Sequence, residues 1–296
     1  MFQAEIAPYL EKYFATLDKS RLSRMIRYAV ADGKCIRGFI VKHIIETLTH
    51  SVPVLWEPIV CVELIHAASL IVDDLPCMDD DAMRRGKPSA FKAFGKHEAI
   101  LSAFYIVSES LRFLSRSLKE SPISDSHDKY ETLYNLQDKL LQEWCGLLGK
   151  NLVMGQLLDL QGSAEELFNT KLSGNVDENI IKYKTCSLFS FSFVVGAVYG
   201  GHASHISDFR DMGMHFGMMF QLLDDFKDID EDKTSTNYVH LNGIKNAQIK
   251  YAAARLKFIT LLHKHSLNTQ AFADLIGAMD KRFAIDETHQ VSRCEN

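Results

Sequence analysis

Apolar residues recur along this chain at helical intervals. Ile59, Val62, Ile65 and Ala68 stand three residues apart, and Cys61, Leu64 and Leu70 widen their stripe. Ile100, Phe104, Val107 and Leu111 repeat the pattern, as do Leu147, Leu148, Leu152 and Leu158. Such spacing puts apolar side chains on one face of an amphipathic helix. No run of strict apolar–polar alternation bounded by turn residues marks a strand. Turn signals are few: Ser51-Val-Pro53, Gly86-Lys-Pro88, Ser121-Pro-Ile-Ser-Asp125, Leu172-Ser-Gly-Asn175 and Gly200-Gly201. Lys119–Asp128 reads as a polar surface loop. With no composition shift and no internal repeat, the pattern predicts an all-α chain forming one domain over residues 1–296.

Thr185–Ser207 contains no Asp, Glu, Lys or Arg, and its length suits a bilayer at ~20 residues per span. Serines, glycines and histidines interrupt it, and each polar group in lipid needs a partner. The expectation is a helix buried in a bundle, not a transmembrane segment.

Composition narrows the function classes. With 296 residues, 47% apolar and 24% charged, the chain is globular, and only 6 Pro and 16 Gly favour helix. Against 33 Lys+Arg stand 38 Asp+Glu, a net charge of −5 with no basic block, which excludes a nucleic-acid surface. Six cysteines lie scattered without a CxxC pair. Neither a zinc site nor a disulfide framework follows, and a reducing, cytoplasmic location is expected. Glu5, Glu11, Lys12 and Asp18 rule out a signal peptide at the start of the sequence.

The chemistry lies in two acidic clusters, each following an apolar helical run. The first is Asp73-Asp74-Leu-Pro-Cys-Met-Asp79-Asp80-Asp81, followed by Arg84, Arg85 and Lys87; the second is Asp224-Asp225-Phe-Lys-Asp228. Ionised carboxylates at the end of a core helix need cations or donors. Asp224 and Asp228 share a helical face and repel unless something sits between them. A hard divalent cation such as Mg²⁺ answers this, completing its shell with water and phosphate oxygens. Arg84, Arg85 and Lys87 beside the first cluster supply the donors and charge a diphosphate needs. An EF-hand reading of Asp228-x-Asp230-x-Asp232 fails, because Lys233 and Val239 stand where the template needs Gly and Glu.

These residues resemble those of the trans-isoprenyl diphosphate synthases, the family that makes farnesyl, geranylgeranyl and longer diphosphates. The first cluster matches the family's DDxxxxD motif and the second its DDxxD motif. Gly33-Lys34-Cys-Ile-Arg37 is similar to the GKxxR segment, Gly155-Gln156-Leu-Leu-Asp159 to GQxxD, and Lys184-Thr185 to the KT pair. The resemblance spans roughly Ala31–Ala247. It implies a large helical bundle of the isoprenoid synthase type with a central cavity, and joins residues 34 to 228 into one active site. It also implies that Lys34, Arg37, His66 and Arg85 hold isopentenyl diphosphate, and that Arg84, Lys184, Thr185 and Gln221 contact the allylic diphosphate. Asp73, Asp79 and Asp224 then bind Mg²⁺, with Asp74, Asp225 and Asp228 completing the catalytic set and Lys184 sharing in it. The metal ions polarise the allylic diphosphate as a leaving group, isopentenyl diphosphate attacks the cation, and a proton is lost. A homodimer is the family expectation. On the residues alone, His66 reads first as a satisfied core histidine, and Gln156 and Asp159 read equally as helix-bridging groups.

The chain departs from the family pattern at several places. Cys35 stands for Arg, Gly38 for Pro and Ala82 for Asp; the usual lysine-bearing stretch after Asp228 is missing, with Lys233 a possible substitute. Small residues, Ser69 and Ala68, precede the first aspartates by one turn, and Pro76-Cys77 lengthens the motif. Both features resemble geranylgeranyl diphosphate synthases, with a farnesyl synthase the second reading. A terpene cyclase, which needs no isopentenyl site, and a non-catalytic subunit of a heteromeric synthase are the further alternatives. Gly213 and Gly217 read as a close helix contact.

Overall fold

The computed structural model describes residues 2–50, 54–120, 129–161, 175–227 and 237–294. The described residues are almost wholly helical, as the periodicity predicts. They group into two units, one of residues up to Leu141 together with Val195–Ala203, the other of Gln142–Val194 and the residues from Ser204 onward.

The first unit is built on the helix Trp56–Asp73, buried on most sides. Helices Phe2–Thr16, Arg21–Val30, Ile36–Thr49 and Lys96–Glu120 pack against it. Ser20 starts the second of these, its hydroxyl accepting from the Ser23 amide at 3.1 Å, a local N-cap. Tyr13, Trp56 and Phe113 form an aromatic knot, with the Tyr13 and Phe113 rings edge to face at 5.4 Å. The buried Tyr13 and Phe113 rings each contribute on the order of 2–3 kcal/mol.

On Lys96–Glu120 the helix is as expected, but its inward face is not the apolar stripe. Ala99, Ser102, Ala103, Ile106, Ser110 and Phe113 are buried, while Phe104 is 70% exposed and Ile100 and Val107 are also exposed. Small residues let this helix approach Trp56–Asp73 closely, so the bulkier stripe is left outside. The structure also adds one two-residue hairpin, Met83–Arg84 paired with Lys87–Pro88.

The second unit centres on Phe189, Phe193, Phe216, Phe258 and Phe272, all within 2% of full burial. Phe189 and Phe216 meet at 5.0 Å and Phe193 and Phe258 at 5.7 Å. The uncharged stretch becomes the helix Ser187–Tyr199, buried throughout. Among the described residues no helix is long and apolar enough to cross a membrane. Gly213 and Gly217 on the helix Ile206–Lys227 are a close contact: added Cβ atoms would sit 2.3 Å from Ser190 Cα and 2.7 Å from Cys186 Cα.

Candidate active site

In the first unit the acidic motif folds back on the helix that carries it. Asp73 ends the helix and Asp74 caps it. The Asp79 amide then donates to the Asp73 carbonyl at 2.9 Å, and the Asp80 amide to the Leu75 carbonyl at 3.1 Å. This loop needs a left-handed residue, supplied by Asp80 at φ 51°. Its effect is to bring Asp79 back beside the backbone of Asp73, two of the expected metal ligands. The hairpin that follows turns on Arg85 and Gly86, at φ 55° and 76°, the paired positive values of a tight two-residue turn.

The two aspartates of the pair have different surroundings. Asp73 is half-buried, whereas Asp74 is only 2% exposed. Asp74 accepts from Arg84 Nε at 2.8 Å and also from Nη2, and Nη2 reaches Asp81 at 2.9 Å. Burial pushes the Asp74 carboxyl above the usual carboxylate range, and Arg84 pulls it back. Asp74 therefore orients an arginine, a task the motif does not announce. Lys87 is held by the protein: its ammonium contacts the Tyr28 carbonyl at 2.6 Å and Asp32 at 2.5 Å.

Lys34, Arg37, Arg84 and Arg85, distant in sequence, all act electrostatically on His66. Burial, and then the charges of Arg37, Arg85, Arg84 and Lys34, hold the half-buried His66 imidazole well below its ordinary value. At neutral pH it is an uncharged donor and acceptor among four cations, an arrangement that suits a polyanion better than a core role. Cys35, at φ 58° and 2% exposed, lies under this cluster, its thiol pushed up to about 12 by burial. It is a packed thiol, not a nucleophile.

In the second unit the KT pair lies in a π-helical segment, Ile181–Cys186, a helix form that often marks functional positions. Lys184 Nζ binds Asp159 at 2.6 Å. Gly155 makes this possible, since a Cβ there would lie 2.2 Å from the Lys184 nitrogen. Thr185 donates to Gln221 Oε1 at 2.6 Å, and Gln221 Nε2 donates to Asp225 Oδ1 at 2.8 Å. Asp225 also accepts from the Tyr238 amide at 3.0 Å and is 7% exposed. The second motif thus repeats the first: Asp224 is half-buried, and its neighbour is buried and spent on the protein. Gln156 keeps a buried Nε2 without a hydrogen-bond partner among the described residues. Asp228 and Lys233 lie outside the described residues.

The donors fit a hard divalent cation, because carboxylate oxygens alone are offered at the less buried position of each pair. Among the described residues no three His, Cys, Asp or Glu side chains form a ready cage. Mg²⁺ is commonly held by one or two carboxylates with water and substrate phosphates.

A family model of polyprenyl synthetases matches residues 19–267. The chain belongs to the polyprenyl synthetase family. Among relatives, geranylgeranyl pyrophosphate synthase 4 of Arabidopsis thaliana is 33% identical over 229 residues, covering 76% of this chain and 57% of that protein. The chain therefore spans little more than half the length of that relative. Farnesyl diphosphate synthase of Bacillus subtilis (strain 168) is 31% identical over 229 residues, covering 76% of this chain and 71% of the relative. A geranyltranstransferase from Thermotoga maritima superposes with a TM-score of 0.75 at 22% identity, covering 95% and 98% of the two chains. That likeness carries the fold, the all-α architecture of the isoprenoid synthases. The polyprenyl synthetase segment takes in both acidic motifs, the cations around His66, and the Lys184–Asp159 pair.

Proposed function

We propose that the chain is a short-chain trans-prenyltransferase acting as one domain, condensing isopentenyl diphosphate with an allylic diphosphate to give geranylgeranyl diphosphate. The observation that carries this reading is Arg84 held by Asp74 and Asp81 in the aspartate-rich loop, with Lys34, Arg37 and Arg85 joining it in the positive field on an uncharged His66. A cyclase has no use for this second, isopentenyl, diphosphate site.

Asp73, Asp79 and Asp224 are the residues that would hold Mg²⁺, with Asp228 extending the second motif. Bound there, the metal supplies positive charge against the leaving diphosphate. The chain's own contribution is positioned charge. Arg84, fixed by Asp74, and Lys184, fixed by Asp159, place cations that need no reorganisation as negative charge develops. Thr185 and Gln221 form a hydrogen-bonded pair beside Lys184 for the allylic diphosphate, anchored by Asp225. Lys34, Arg37, His66 and Arg85 bind isopentenyl diphosphate. Small residues at Ala68 and Ser69 favour the longer product. Farnesyl diphosphate is the second reading, favoured by the match to the Bacillus subtilis synthase.

A homodimer is proposed from the outward stripe of the first unit. Leu101 at 63%, Phe104 at 70% and Tyr134 at 71% exposure, with a groove of about 400 Å³ lined by Leu111, Leu114 and Leu140, form an apolar face that asks for a cover. Cys35, Cys61, Cys77, Cys145 and Cys186 are free, which fits a reducing compartment, here the cytoplasm.

Incubation with Mg²⁺, labelled isopentenyl diphosphate and each allylic primer in turn tests the function. A chain-elongated product that disappears with chelator is expected. A cyclised hydrocarbon would establish the cyclase, and no turnover the non-catalytic subunit. Ala68→Tyr should shorten the product; an unchanged length would refute the assignment of the pocket floor.

A further inference from the structure

We propose that Glu63 is a positioning residue for the isopentenyl diphosphate pocket: its buried carboxylate caps the helix that carries Arg37 and so fixes that arginine. The proposal rests on the reading above.

The helix Ile36–Thr49 begins without a cap of its own. Cys35 occupies the N-cap with a left-handed φ of 58° and makes no side-chain cap bond; its thiol donates to the Gly33 carbonyl at 3.3 Å. The first amides of a helix have no partners within it and need acceptors from elsewhere. Here the acceptor comes from a different helix. Glu63, on Trp56–Asp73, accepts the Gly38 amide on Oε1 at 2.7 Å and also takes a backbone hydrogen bond from Arg37. Its residue is 5% exposed. Burial pushes this carboxyl up, and the Gly38 amide together with the charges of Arg37 and Arg85 draws it back.

Gly38 is the matching half of the device. Proline, the residue the family pattern has here, carries no N–H to donate. A Cβ at position 38 would stand 3.2 Å from Ile59 Cγ2 and 3.3 Å from Glu63 Cγ. Glycine leaves both the donor and the space that the carboxylate uses. This departure from the pattern is therefore tied to Glu63.

Glu63 and His66 lie three apart on one helix and share a face. Arg37 and Arg85 act electrostatically on both. The negative charge of Glu63 thus offsets the repulsion between two arginines held for one ligand. With Oε1 committed to the Gly38 amide, Glu63 acts through Arg37 and not on the substrate.

Glu63→Gln keeps the shape and one acceptor oxygen but removes the charge, and Glu63→Asp withdraws the carboxylate by one methylene. Binding of isopentenyl diphosphate to each full-length variant is measured by calorimetry, alongside KM for both substrates and the melting temperature. Loss of a charge-assisted buried hydrogen bond should weaken isopentenyl diphosphate binding about tenfold, with the allylic KM held within about twofold. Unchanged binding of isopentenyl diphosphate by Glu63→Gln overturns the proposal. So does a parallel loss for both substrates that tracks the melting temperature. If Glu63→Gln does not fold, Glu63→Asp decides on the same criteria, since the shorter side chain cannot span the 2.7 Å bond to Gly38. A wild type that binds isopentenyl diphosphate without elongating it refutes the proposed reaction and leaves the Glu63 test intact. A wild type that does not bind it refutes both.

Discussion

Gly155→Ala is a one-methyl change with a large predicted consequence. The helix Val153–Gln161 passes so close to the π segment that a Cβ at 155 would lie 2.2 Å from the Lys184 nitrogen, 2.6 Å from the Tyr183 carbonyl carbon and 2.7 Å from Lys184 Cα. All three are backbone atoms, so no side-chain rotation relieves the overlap. Ordinary contact begins at 3.4 Å, and the segment carrying Lys184 must therefore retreat by roughly 1 Å, an overpacking cost of about 1–3 kcal/mol. That retreat also stretches the 2.6 Å bond between Lys184 and Asp159. A displacement of this size at a positioning group costs on the order of a hundredfold in rate. The assay is the initial rate of isopentenyl diphosphate incorporation at saturating substrates, paired with a thermal melt. Gly277→Ala is the control: a Cβ there meets nothing within 4 Å, and replacing a helical glycine should stabilise by about 0.5–1 kcal/mol. A Gly155→Ala protein with wild-type rate and melting temperature would refute the close-approach argument.

Two further outcomes follow from the first unit. Asp74→Asn removes the buried charge that holds Arg84 and should cost about 1.5–3 kcal/mol, with a raised allylic KM. Asp81→Asn, whose carboxylate side chain is 50% exposed, should change stability by less than about 0.5 kcal/mol; equal effects in urea unfolding would contradict the separate roles. For His66, the folded imidazole lies well below the ordinary 6.5. Between the two values the unfolded chain binds a proton that the folded chain refuses, so its contribution falls as pH drops below about 6.5. His66→Gln should flatten the acid side of the stability curve relative to wild type; parallel curves would show that His66 titrates normally.

Residue type and spacing are local properties, and what depends on them was legible in the chain. The helical class, the buried Ser187–Tyr199 helix, the close contact at Gly213 and Gly217, and both aspartate motifs could all be read without coordinates. Partner choice is not local. The stripe of Ile100, Phe104 and Val107 predicted a helix on Lys96–Glu120 but not its inward face, because small residues on the opposite side allow the closer approach. The Asp32 carboxylate beside Lys87, 55 positions away in the chain, was likewise not legible.

The sequence by itself determined which groups were available: carboxylates, arginines and a histidine in a family-specific order on apolar helices. Only the tertiary structure decided how they are divided. It assigned Asp74 and Asp225, the second members of their pairs, to hold Arg84 and to link Gln221 with the Tyr238 amide. It also gave the Arg37 helix a cap from Glu63, a residue no motif singled out. Buried charges must find partners within hydrogen-bonding distance, and which partners are in reach is set by the packing of helices far apart along the chain.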